Sequence, residues 1–223
     1  VESYREPYEN FIFSENFKHK LNESQEEAYK QITEDITIQN NNVFLLHGVT
    51  GSGKTEVYLN IIEYTLKLGK NAIMLVPEIS LTPQIVYQFK MWFGDNVAVL
   101  HSGLSLGEKY DEWRKIRRNK VRIVVGARSA IFAPLSNIGV IIIDEEHETT
   151  YKQDEMPKYH AIEIAKTRAK THNATLVLGS ATPLLESYAR AIKGVYKLVE
   201  LPFRATNTLM PNTEIIDMAD EFK

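Results

Sequence analysis

The stretch GVTGSGKT, Gly48 to Thr55, stands between the apolar run Val43-Phe44-Leu45-Leu46 with His47 and a helical pattern beginning at Lys54. A glycine-rich turn between a strand and a helix is built to hold phosphate. Gly48, Gly51 and Gly53 allow backbone turns that side chains block. Successive N–H groups from Gly48 through Thr50, Gly51, Ser52 and Gly53 can therefore point at phosphate oxygens, helped by the positive end of the following helix. Lys54 can reach the beta and gamma phosphates, and the Thr55 hydroxyl is placed one residue on to ligate an accompanying magnesium ion. ATP and Mg2+ are the expected ligands.

A second constellation supplies the chemistry for that loop. Residues 139–147 read GVIIIDEEH: a run of β-branched residues that suits a strand buried on both faces, ending in three carboxylates and a histidine. Charges are excluded from a sheet core, so Asp144 is expected at the carboxyl end of the strand, where open parallel sheets place their ligands. Asp144 can then hold the magnesium water shell. Glu145 can orient and deprotonate the water that attacks the gamma phosphate. Lys54, Asp144 and Glu145 are the expected catalytic set.

The 223 residues are 43% apolar and 10% aromatic, enough for one substantial core. A formal charge of −3 argues against a globally basic nucleic-acid coat while leaving a local patch open. With no cysteine there is neither a disulfide framework nor a thiolate metal site, which fits a reducing interior. No signal peptide and no bilayer-spanning apolar run are evident, so a soluble, cytoplasmic chain without a membrane partner is expected.

Helix and strand signals alternate. Asn22 or Ser24 can cap a helix with Ala28, Ile32 and Ile36 on one face, followed by strand 43–47, the phosphate loop and helix 54–68. Strands are then expected at 71–76, 97–100, 121–125, 139–143, 174–178 and 195–201, and helices at 82–93, 105–118, 159–172 and 183–193. Strands separated by helices predict an α/β, three-layer domain with a mostly parallel central sheet. Residues 1–19 read as an N-terminal extension, 20–202 as the domain and 203–223 as a linker. The strand-like EIIDM near the end has nothing left to pair with, as in a piece excised from a longer protein.

Several strand-end loops carry polar or basic groups: VPEISLTPQ at 76–84, GARSAIFAP at 126–134 and GSATPLLES at 179–187. In order, a phosphate loop, PEISLT, GARS, DEEH and GSAT resemble the first motor lobe of superfamily 2 helicases. The wording HSGLS at 101–105, WRKIR at 113–117, ARSAIFAPL at 127–135 and SATPLLES at 180–187 is similar to the primosomal replication-restart helicases of that superfamily. The resemblance covers roughly residues 20–202.

It implies a RecA-like P-loop lobe whose Gln25, in LNESQ, reads the adenine edge, and in which His147 couples the acidic site to Ser180 and Thr182 as relays of gamma-phosphate occupancy. It also implies Arg128 and Ser129 as holders of single-strand phosphates. The aromatic-rich loop bearing Tyr151, Lys152 and Tyr159 is implied to link strand contact to hydrolysis. The implied partners are single-stranded or forked DNA and, for a full-length protein, primosome and single-strand-binding proteins. The implied state is a nucleoid-associated bacterial monomer that moves three-prime to five-prime at stalled forks.

From Lys109 to Arg128 the chain carries Lys109, Arg114, Lys115, Arg117, Arg118, Lys120, Arg122 and Arg128 against Asp111 and Glu112. Such a cluster attracts phosphate backbones, although a charge run on a helix is as often a solvated face. Superfamily 2 motors carry their arginine fingers on a second lobe, worth about 10³ to 10⁵ in rate. That converts to about 4–7 kcal/mol. These residues on their own are therefore expected to bind nucleotide weakly, hydrolyse it slowly and not unwind DNA. Another superfamily 2 DNA or RNA translocase is one alternative, and a non-hydrolysing, nucleotide-dependent docking module is another. The Glu146 form of the acidic box and HSGLS speak against the first. Lys54, Asp144 and Glu145 speak against the second.

Overall fold

A computed structural model describes residues 20–205. The first helix, α1 (Glu23–Ile38), starts at a reciprocal cap in which Asn22 Oδ1 accepts from Gln25 N at 3.0 Å and Gln25 Oε1 accepts from Asn22 N at 2.9 Å. Asn22, rather than Ser24, is thus the cap. The chain continues through β1 (Val43–Gly48), α2 (Lys54–Lys67), β2 (Asn71–Leu75), α3 (Pro83–Phe93), β3 (Val97–Leu100), α4 (Leu106–Arg117) and β4 (Ile123–Gly126). It then forms β5 (Ile138–Ile143), the two-residue strands β6 (Lys152–Gln153) and β7 (Tyr159–His160), α5 (Ala161–His172), β8 (Thr175–Ser180), α6 (Leu185–Ile192) and β9 (Lys197–Leu201).

Seven strands form one sheet in the order β3-β4-β2-β5-β8-β1-β9, and every described pairing within it is parallel. Successive residues of a strand face opposite sides, so each strand feeds two cores. Phe44, Leu46, Ala72 and Met74 join the cluster that receives α1, α2 and α3, whereas Leu45, Ile73, Leu75 and Ile141 join the cluster that receives α5 and the 130–135 segment. The three-layer expectation is met. The boundaries shift by at most two residues, as with β4, which starts at Ile123 instead of 121.

One difference is topological. The helix expected from residue 159 begins at Ala161, because Tyr159 and His160 pair antiparallel with Gln153 and Lys152. This two-stranded clip closes the loop after the acidic motif, and the His160 side chain caps α5 by accepting from Ile162 N at 3.3 Å. A helical pattern carries no signal for so short a ladder.

At the amino end of the sheet one buried carboxylate ties four segments. Asp35 near the end of α1, 1% exposed, accepts from Asn42 N and Nδ2, from Thr175 Oγ1 at 2.8 Å and from Lys197 Nζ at 3.2 Å. It thereby locks α1 to β8 and β9. No described helix is long and apolar enough to cross a membrane. The aromatic-rich stretch 1–19 and the EIIDM segment lie outside the described residues.

Replacing Asp35 with Ala strands the buried Thr175 hydroxyl and the Asn42 amide. A loss of about 3 kcal/mol is expected, read as a lower urea midpoint with an unchanged m-value.

Candidate nucleotide site and adjoining cleft

The strand order decides what can meet. Reading across the sheet, β5, β8 and β1 are neighbours, with Ile143 opposite Leu178 and His47 opposite Ser180. Asp144, Ser180 and the phosphate loop therefore leave three adjacent strand ends. Lys54, at the start of α2 and 9% exposed, donates to Gly48 O at 3.2 Å and lies 3.7 Å from Glu145 Oε1. Loop and acidic box thus meet on the same edge of the sheet.

The loop itself has the shape of an anion cradle. Gly51 and Gly53 both sit at φ +79°, in the left-handed region that disfavours side chains. A Cβ on Gly53 would lie 2.3 Å from Gln25 Nε2, and one on Gly48 would lie 2.6 Å from Ser52 Oγ. The Ser52 hydroxyl is buried without a hydrogen-bond partner, as suits a donor in a site shaped for a ligand oxygen.

Asp144 is held from two sides. Tyr58, four residues after Lys54 on the buried stripe of α2, donates its hydroxyl to Asp144 Oδ1 at 3.0 Å, and Tyr151 donates to the Asp144 carbonyl at 2.7 Å. Tyr58 reaches that oxygen only because β8 has Gly179 at the crossing. A Cβ there would lie 1.7 Å from the Tyr58 hydroxyl. Burial, then the neighbouring Glu145 charge, push the Asp144 carboxyl above its ordinary range, while Lys54 and the Tyr58 hydrogen bond pull the other way. Glu145 sits at φ +46°, a left-handed conformation unusual for a non-glycine residue, which turns its carboxylate toward Lys54.

A hydroxyl from Thr55 and a carboxylate from Asp144 are hard oxygen donors of the type magnesium takes, alongside phosphate oxygens and water. Among the described residues no cluster of three or more His, Cys, Asp or Glu forms a protein-only metal site, so a cation between Thr55 and Asp144 needs ligand and water oxygens to complete its shell.

The residues expected to couple, His147, Ser180 and Thr182, are brought together. His147 Nδ1 is 2.8 Å from Ser180 Oγ and 3.6 Å from Glu145 Oε2, and Ser180 Oγ accepts from Thr182 N at 3.0 Å. Thr182 contributes its backbone amide to this chain of contacts. Glu146, which the sequence offers as one more acid of the box, serves the fold instead. It is 1% exposed, accepts from Leu184 N at 2.8 Å and Ser187 Oγ at 2.9 Å, and so caps α6.

Gln25 is 4% exposed, with Nε2 donating to Ser52 O at 2.9 Å and Oε1 engaged in the α1 cap. It braces the phosphate loop against α1, and a primary amide keeps one further N–H for a base edge. Beside it a cavity of about 620 Å³ opens between Asn22–Glu27 and Phe203–Ala205. The residues after β9 are tied to the loop, through Val49 N to Leu201 O at 3.2 Å and Ala205 N to Gly51 O at 2.8 Å.

On the other side of the acidic box, a cleft of about 380 Å³ is lined by Glu78, His101, Ser102, Lys109, Arg128, Ser129 and Thr150, among others. Arg128 and Ser129 are where the sequence places them. Arg128 Nη1 donates to Thr150 O and Lys152 O, so the guanidinium also clips two loops, with other N–H groups left over. Glu78 accepts from Ser102 N at 3.1 Å, and that hydrogen bonding holds its carboxyl below the ordinary range.

The strand contact implied for Tyr151 is corrected. The residue is fully buried, and its hydroxyl is committed to Asp144, so its face is closed to any base. Tyr159 packs edge-on against Phe132 at 4.9 Å, with Arg128 5.8 Å away over its ring. It is half-buried and fastens the loop. Lys152 is exposed and paired with Asp154 at 3.0 Å.

Sequence reasoning missed Tyr58, Gly179 and Arg168. Tyr58 lies on the same helical stripe as Lys54, and a tyrosine on a buried stripe needs a partner for its hydroxyl; that signal was available. Arg168 on α5 donates to Ile131 O, to Ala133 O at 3.0 Å and to Leu135 O at 3.1 Å, splinting the segment that carries Arg128 and Ser129. Nothing in a helical charge pattern distinguishes it.

A parallel α/β sheet with a phosphate cradle at one strand end and an acidic box two strands away defines the nucleotide-binding, RecA-like lobe of a helicase-type motor. The chain belongs to the family described as type III restriction enzyme, res subunit, whose profile matches residues 18–185. It is 59% identical over 222 residues to the replication restart protein PriA of Bacillus subtilis, covering 100% of this chain and 28% of that protein. It is also 47% identical over 199 residues to the PriA of Chlamydia trachomatis, covering 89% of this chain and 26% of that one. The chain thus spans about a quarter of the length of these relatives. Among solved structures, RecG bound to a three-way DNA junction matches with a TM-score of 0.58 and 25% identity, over 83% of this chain and 24% of the other.

Two expectations follow from this geometry. Asp144→Asn keeps an acceptor for Tyr58 and removes a charge that the fold raises in pKa. A carboxyl with a raised folded-state pKa contributes stability at low pH that is lost as pH rises through that value, so the variant should melt higher than the parent at neutral pH and converge with it in acid. Arg168→Lys supplies one ammonium where a guanidinium serves three carbonyls and should cost about 2 kcal/mol, seen as earlier proteolysis within 128–135.

Proposed function

We propose that this chain is the ATP-binding motor lobe of an ATP-dependent DNA helicase acting in replication restart, with three-prime to five-prime movement in the full-length protein. The observation that carries the reading is the approach of Lys54 to Glu145 at 3.7 Å, with Asp144 pinned beside them by Tyr58. That arrangement supplies an ammonium for the beta and gamma phosphates, a carboxylate for the magnesium shell and a second carboxylate for the attacking water. Magnesium, held through Thr55 and Asp144, would neutralise phosphate charge. The chain's own residues orient the nucleotide and take the proton.

In the same reading the base occupies the cavity between α1 and Phe203–Ala205, beside the first turn of α1 that carries Gln25, and His147, Ser180 and Thr182 pass gamma-phosphate occupancy along the strand ends. A single DNA strand crosses the cleft at Arg128 and Ser129 through sequence-independent phosphate contacts. The names of the PriA relatives support the restart role, and primosome and single-strand-binding proteins are the corresponding partners of a full-length protein.

Calorimetric titration of the chain with ATP and magnesium should give binding that Lys54→Ala weakens by about tenfold or more, since a charge-assisted phosphate contact is lost. In a full-length protein, Glu145→Gln should retain that binding while lowering DNA-stimulated hydrolysis by about 10²- to 10⁴-fold. Unchanged ATP affinity in the Lys54 variant would remove the basis of the reading. Unchanged hydrolysis in the Glu145 variant would point to a docking module that does not turn nucleotide over.

A further inference from the structure

Helix α4 sorts its charges by face. Two of its three carboxylates, Asp111 and Glu112, are buried, at 5% and 4% exposure, and the third, half-buried Glu108, turns back to accept from Ser105 N at 2.8 Å in the cap; Asp111 pairs with Arg114 at 3.1 Å, and Glu112 pairs with Lys115 at 2.9 Å and accepts from Val99 N at 2.9 Å. Arg122, another member of the basic window, is spent on Asn71, Leu66 O and Lys70 O. The outward face is left aromatic and cationic. Tyr110 and Trp113 are 65% and 41% exposed, Arg117 and Arg118 are exposed, and the Arg114 guanidinium lies 5.6 Å from the centre of the Tyr110 ring. Together with Lys109 these residues line a furrow of about 610 Å³.

Lys109 also lines the cleft that holds Arg128 and Ser129, so furrow and cleft adjoin at that side chain. Its ammonium donates to Ser102 O at 2.9 Å, at the junction of the two. Tyr110, Trp113, Arg114 and Arg117 are related by helical spacings of three and four, so a pair of rings is followed by a pair of guanidinium groups along one ridge. Aromatic faces beside guanidinium groups are the chemistry that single-stranded nucleic acid meets: bases stack on the rings and phosphates lie against the cations, without sequence preference.

We infer that the outer face of α4 is a second single-stranded nucleic-acid contact, extending the strand path from the Arg128–Ser129 cleft along the Tyr110–Trp113–Arg117 ridge. The inference rests on the cleft reading above and adds to it a length dependence. A short strand fills the cleft, and a longer one gains the ridge.

Anisotropy titrations of this chain with oligothymidylates of about 6 and about 16 nucleotides, which bracket the footprints of single-strand-binding grooves, test it directly. The longer strand should bind at least about tenfold more tightly than the shorter, and Trp113→Ala should erase that gain while leaving the shorter strand unaffected. Trp113→Phe should restore it, because stacking needs a ring and not an indole. Arg117→Ala should reduce the salt slope for the longer strand by about 0.7 and leave that of the shorter strand unchanged. Equal loss for both lengths, or no loss for either, overturns the inference. So does an acidic peptide that displaces the longer strand from the parent and from Trp113→Ala alike. A chain that binds neither length overturns the cleft reading beneath it as well.

Discussion

Two carboxylates and an ammonium meet at one edge of the sheet, and the rest of the molecule is arranged to keep them there. Asp144 and Glu145 repel each other and Asp144 is desolvated, so its charged form is disfavoured. Lys54 offsets part of that cost, and the Tyr58 hydroxyl offsets part through a hydrogen bond. On the function proposed above, a magnesium ion entering with the nucleotide would supply the positive charge that the fold withholds from these carboxylates.

The strand order makes that tension possible. β8 lies between the strand that carries the phosphate loop and the strand that carries the acidic box, so whatever links the two must pass β8. Gly179 provides the gap and Tyr58 fills it. Ser180, the next residue, meets His147 on the same edge. A nucleotide bound at the loop would thus be felt at β5 and β8 through side chains already in contact, without any strand having to move.

Many charges and hydroxyls that look available for ligands are structural. Glu146 caps α6, Arg168 splints residues 131–135, Arg122 braces β4 against β2 and the end of α2, and Tyr151 closes the floor of the acidic box. Their positions leave a smaller group of residues facing solvent at the strand ends and along α4. Arg128 does both jobs: it bridges the loop at Thr150 and Lys152 and still borders the cleft.

Local patterning was enough for the layered sheet, for most element positions, and for the phosphate loop and acidic box as separate motifs, because period-two and period-3.6 burial and glycine placement act over a few residues. It offered Asn22 as a cap for the same reason, since a capping box is complete within four positions. Whether Tyr151 stacks or anchors, which carboxylate of DEEH turns to Lys54 and which becomes a cap, and why residue 179 must lack a side chain were decided only when the strands took their order. The chain separates Glu146 from Leu184 by 38 residues and Tyr58 from Asp144 by 86, and a contact across the sheet leaves no periodic trace in the segment that supplies it.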